Sequence, residues 1–130
     1  MATNSKIYWN YERPTRAVAS VAIAAGVGLV LDTNACVPKY KLPAAGGRID
    51  GVALDDVAAN QFFDLVNEKE KFVPVKAAAA FGVGVELAVT AAGKFQTATT
   101  GQRVVAISQN QATAADQVVT ALVRSPYAKV

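Results

Sequence analysis

The chain contains no histidine. That removes the side chain that most often serves as general base or metal ligand near neutral pH. No Ser-His-Asp or Cys-His arrangement can form. Cys36 is the single cysteine, so an intramolecular disulfide and a cysteine metal cluster are both excluded. We read Cys36 as a small buried apolar residue of a protein made in a reducing cytoplasm. Aromatic residues are scarce, at 8%. The longest apolar stretch, residues 18–31, is broken by Ser20, Gly26 and Gly28. It falls short of the roughly 20 residues that a membrane-spanning helix needs, so no membrane association is expected.

Other absences narrow the function. The net charge is only +3, and no Lys/Arg stripe with interleaved aromatics forms, so no nucleic acid partner is expected. The Gly-x-Gly pairs at Gly26/Gly28 and Gly82/Gly84 lack the third glycine and the lysine of nucleotide-binding loops; they read as turn glycines entering strands. Asp55 and Asp56 stand outside any Asp-x-Asp-x-Asp-Gly loop. With Asp64, Glu68 and Glu70 they read as a solvated acidic surface. We expect no catalytic residues, no metal and no cofactor, hence no enzyme.

What is present is apolar and small. Hydrophobic residues make up 52% of the 130-residue chain, much of it Ala and Val, which suits closely packed sheets in one domain. Residues 18–31 read as two short strands joined at 24–28, because two glycines disfavour a helix there. Pro38, Pro43, Gly46 and Gly47 punctuate a loop at 32–47, with room for a short edge strand at 37–42. Residues 48–54 form a candidate buried strand. At 55–70 a helix capped by Asp56 competes with a turn at 55–60 and a strand at 61–66. Phe62, Phe63, Leu65 and Val66 make no clean helical stripe, which favours the strand. Pro74 confines the returning strand, 72–76, to an edge or a bulge. Strands follow at 84–90, 95–99, 103–108 and 117–124, with Gly93 supplying a positive φ in the turn at 91–94. The spacing predicts an all-β fold: a small barrel or sandwich of short antiparallel strands. A faint repeat sets residues 25–31 against 81–87, and Ala58-Ala59 against Ala114-Ala115 at the same offset of 56 residues.

Residues 1–17 read as an extended N-terminal arm ahead of a domain at 18–130. Ile7, Tyr8, Trp9 and Tyr11 concentrate aromatic and apolar surface in a segment that Pro14 biases toward extended backbone. That surface either folds back on the domain or docks on a neighbour. In the first case the contact surface falls to the loops at 32–47 and 109–116.

Several segments carry a resemblance. They are Gly51-Val52-Ala53-Leu54, Val73-Pro74-Val75-Lys76, and Ala78-Ala79-Ala80-Phe81-Gly82-Val83-Gly84-Val85. Ala91-Ala92-Gly93-Lys94-Phe95-Gln96-Thr97, Gly101 and Val104-Val105-Ala106-Ile107 follow. In this order, from about Gly46 onward, the chain resembles the bacteriophage head-decoration (capsid cement) proteins. It departs from them where Ala106-Ile107 replaces a Gly-Val pair and where residues 67–71 replace a shorter connection. The resemblance implies a structural virion protein on the outer surface of the capsid. Such a protein binds the major capsid protein after shell expansion, often as a homotrimer, and stabilises the shell. Ile7, Tyr8, Trp9 and Tyr11 would then be capsid-binding anchors. Two other readings stay open: another virion subunit (tail tube or head completion), and a cellular β-barrel adaptor or ligand-binding module.

Overall fold

The structure, a computed structural model, describes residues 14–33 and 38–130. Ten strands and no helix are found among them. Strands β1 (Thr15–Ala19), β2 (Gly28–Asp32), β3 (Lys39–Lys41), β4 (Gly51–Ala53) and β5 (Phe62–Val66) close into a barrel in the order β1-β3-β2-β4-β5. Strands β6 (Lys71–Lys76), β7 (Glu86–Val89), β8 (Phe95–Thr97), β9 (Arg103–Ser108) and β10 (Val118–Ala128) form a second sheet in the order β6-β10-β9-β7-β8. The fold is all-β, as the turn spacing predicts.

The two sheets are copies of one topology. In each, the first strand pairs antiparallel with the fifth, Val18 facing Phe62 in one and Lys76 facing Val118 in the other. The second strand pairs with the third and the fourth, and the fourth with the fifth. The first and third run parallel, through Val18↔Lys39 and Ala19↔Tyr40 in the first unit and the single bridge Ala77↔Phe95 in the second. These parallel contacts stand beside the antiparallel pairs that the turn spacing predicts. The connecting main-chain bonds repeat as well. Ala19 and Ala77 N–H donate to the Gln61 and Gln117 carbonyls, while Asn60 and Asp116 N–H donate back to the Ala19 and Ala77 carbonyls.

Each unit ends in two turns of one design: a bridged residue, then a left-handed residue, then a strand. The left-handed positions are Gly26, Asn60, Gly84 and Asp116, with φ of 88°, 66°, 75° and 70°. Glycine adopts this region freely, and Asn and Asp tolerate it better than other side chains. The bridges are Ile23↔Val57 and Phe81↔Ala112. Gly26 therefore corresponds to Gly84 and not to Gly82, which moves the early part of the repeat two residues from the register read in the sequence. Turn geometry, not the matching Gly-x-Gly letters, sets the alignment.

The turn at 55–60 and the strand after it replace the competing helix, with β5 alternating between exposed Phe62 and buried Phe63 and Leu65. Pro74 lies in β6 at the end of its sheet. Its partner Thr120 engages its own N–H with Asn110 Oδ1 and its carbonyl with Gln109 N–H, both on the side away from β6. Position 74 thus needs no donor toward β10, and proline fits. Strand β1 begins at Thr15, so residues 15–17, assigned to the arm from sequence, belong to the barrel.

The first unit packs Ala19, Ile23, Leu29, Phe63 and Leu65 together. The second unit's core includes Val75, Leu87, Phe95 and Val105, and takes in Ile49, Val52 and Val66 from the first. One of the core clusters therefore spans both units, while the first unit keeps a cluster of its own. Main-chain bonds tie them too: Lys76 N–H to the Gly26 carbonyl, Gly28 N–H to the Gly93 carbonyl, and Gly46 N–H to the Val89 carbonyl, each at 2.8 Å.

Candidate interaction surfaces

The sequence-predicted anchors Ile7, Tyr8, Trp9 and Tyr11 lie outside the described residues, as does Cys36. The described chain starts at Pro14 and enters β1 at Thr15, whose hydroxyl donates to Asn67 Oδ1 at 3.2 Å.

Asp55 and Asp56 have local structural work. Asp55 Oδ2 accepts the Asp64 N–H at 3.1 Å, and Asp56 Oδ1 accepts the Ala25 N–H at 2.8 Å. Each carboxylate pins one turn of the first unit to its neighbour. No group of three or more metal-ligating side chains gathers among the described residues, and no helix there is long and apolar enough to cross a membrane.

Four surface features stand out. On the first barrel Phe62 is 66% exposed. The Arg16 guanidinium lies 5.5 Å from its ring centroid and pairs with Asp64 at 3.4 Å. An attraction of this kind is worth about 0.5–1 kcal/mol at an exposed site. Second, a groove runs between Leu31, Lys41, Leu42 and Arg48. Its cations are balanced locally, Arg48 by Asp50 and Lys41 by Asp32. Lys69 beside it donates to the Ile49 carbonyl, and burial pulls its pKa below the ordinary lysine value. Third, an open cleft between the turns of the second unit is lined by Ala80, Phe81, Gly82, Gln111, Ala112 and Thr113.

The fourth feature is a tie at the end of β10. Glu86 accepts hydrogen bonds from Lys129 Nζ and the Tyr127 hydroxyl. The Lys129 bond first, and the Tyr127 bond second, hold the Glu86 carboxyl below its ordinary value of 4.5. A depressed carboxylate contributes stability that is present above the unfolded value and is lost as pH falls through the folded one. The segment 127–129 is therefore expected to stay anchored near neutral pH and to loosen only below about pH 4.5. Amide exchange at Lys129, whose N–H donates to the Gln102 carbonyl, reads this directly. In Glu86→Gln the acid-dependent step should disappear. An unchanged step in that variant would assign the pH dependence elsewhere, for instance to Asp116, whose carboxyl is held low by Lys94.

No protein-family model matches the sequence, and no curated protein matches it. Among solved structures, the fold is similar to the crystal structure of the N base of head fiber gp8.5 in bacteriophage phi29. The TM-score is 0.72, with 85% of this chain and 92% of that chain covered, at 20% sequence identity. The chain thus shares its fold with a protein of a phage head fiber.

Proposed function

We propose that this chain is a structural protein of a bacteriophage head, a decoration subunit that binds the major capsid protein on the outer surface of the shell and stabilises it. The observation that carries the proposal is the similarity of fold, over nearly the whole of both chains, to a phage head fiber base. The sequence supports it independently, through the order of strand and hairpin motifs from Gly46 onward. On this reading the protein works by contact rather than by catalysis and takes no cofactor. It is made in the host cytoplasm and ends on the virion, as a homotrimer on the capsid. Ile7, Tyr8, Trp9 and Tyr11 act as anchors by adding a strand to an exposed capsid edge.

The test is direct. Purified protein is mixed with expanded empty capsids and with tails, and the particles are sedimented and imaged. Saturable binding to the outer shell supports the proposal. Binding to tails alone, or to neither, refutes it.

A further inference from the structure

Because the two units follow the same path, the turns at the tip of one have counterparts in the other. Their tips can be compared residue by residue. In the first unit Asp55 accepts the Asp64 N–H. In the second, Asn110 occupies the matching place and accepts the Thr120 N–H at the same 3.1 Å. The amide does the same local work without the charge. Gln111 likewise stands where Asp56 stands in the first unit.

The neutrality extends across the whole second tip. Residues 77–85 and 109–115 contain no charged side chain. Asp116, at the rim, is paired with Lys94 Nζ at 2.6 Å. Yet this face is open: Val83 is 66% and Val118 52% exposed, and Ala79, Ala80, Ala114 and Ala115 are exposed around the cleft floored by Phe81. Burying a charge without a partner is costly, whereas small apolar and amide groups desolvate cheaply. The centre of a protein interface is accordingly depleted of charge. The first unit's matching segment, 19–27, is uncharged as well; its tip differs by the exposed carboxylates of Asp55 and Asp56, which suit water.

We infer that the second tip is the face this chain buries against the major capsid protein, and that it meets there an uncharged patch whose apolar side chain enters the cleft over Phe81. The inference rests on the decoration reading given above. It makes binding through this face nearly independent of salt, since no ion pair is formed to be screened.

Ala80 and its counterpart Ala22 are both exposed, so arginine fits at either without disturbing the core. Binding of Ala80→Arg, Ala22→Arg and wild type to expanded empty capsids is measured at low and high salt, with melting temperature and solution oligomeric state as controls. Ala80→Arg should weaken binding about tenfold or more, the scale of a hot-spot loss. Ala22→Arg should bind within about twofold of wild type, and wild-type affinity should change less than about tenfold with salt. If wild type binds and Ala80→Arg binds equally, the inference falls alone. It also falls if Ala22→Arg is the variant that loses binding, or if Ala80→Arg alters only self-association. If wild type does not bind capsids, the decoration reading itself falls and takes the inference with it.

Discussion

Replacing Gly93 by alanine will lower the melting temperature by about 10 °C or more, well beyond the effect of the same change at Gly101. Both residues have a positive φ, 80° and 91°, so each alanine bears the left-handed penalty of about 1–2 kcal/mol. Their surroundings differ. A Cβ at Gly101 meets nothing within 4 Å, whereas one at Gly93 would stand 2.7 Å from the Gly28 carbonyl oxygen and 3.0 Å from Val27 Cβ. Both obstacles belong to the first unit and neither is a flexible chain end. Relieving the clash means moving the β7–β8 turn away from β2, which breaks the bond from Gly28 N–H to the Gly93 carbonyl. Overpacking of this kind costs about 1–3 kcal/mol. The total of about 2–5 kcal/mol is a large part of a typical domain's 5–15 kcal/mol, and at this chain length it converts to a shift of about 10 °C or more. Thermal unfolding of the two variants checks it. Equal shifts would mean that the units do not meet as closely at this turn as described.

Removing residues 2–12 is expected to abolish most capsid binding while leaving the melting temperature almost unchanged. Aromatic side chains bury about 150–250 Å² each. At about 25 cal/mol per Å² the three aromatics of the arm offer at most about 11–19 kcal/mol. Ordering about ten residues costs about 10–20 kcal/mol. The terms nearly cancel, so on the proposed reading strand pairing and many copies on one shell supply the net affinity, and each anchor becomes critical. Trp9→Ala should weaken binding roughly thirtyfold or more, as truncating a hot spot does. On the proposed reading the neutral tip and the arm contribute separately: a rigid face sets where the domain sits, and the arm resists its release. If the truncated chain keeps its binding and melts much earlier, the arm belongs to its own domain, and the tip carries the contact by itself.

How far the fold could be read from the sequence depended on the range of each interaction. The hairpin of β7 and β8, with Gly93 in its turn, was legible because a glycine between two apolar runs acts locally. So was the turn ahead of β5, where Ala58-Ala59-Asn60 precedes an alternating strand. The parallel meeting of β1 with β3 was not legible, because no local pattern marks it. The register of the repeat is not legible in the sequence, since identical Gly-x-Gly letters hide the conformational role of Gly26 and Gly84. The start of the barrel at Thr15 is not legible in the sequence, because Thr15, Arg16 and Ala17 lack the apolar run that marks a buried strand; only their pairing with β5 reveals one. The neutral tip is partly legible, as the polar loop at 109–116. What sets it apart is not local: Asn110 and Asp55 make the same hydrogen bond in two copies of one fold, one without charge and one with it.

The central claim, that this is a subunit of the outer face of a phage head, is tested most directly by cryo-electron microscopy of expanded capsids saturated with the purified chain. The account predicts added density on the outside of the shell, arranged as trimers at capsomer junctions, with the second tip turned toward the capsid protein. Bare capsids at saturating protein, or density confined to a tail or to the shell interior, would contradict it.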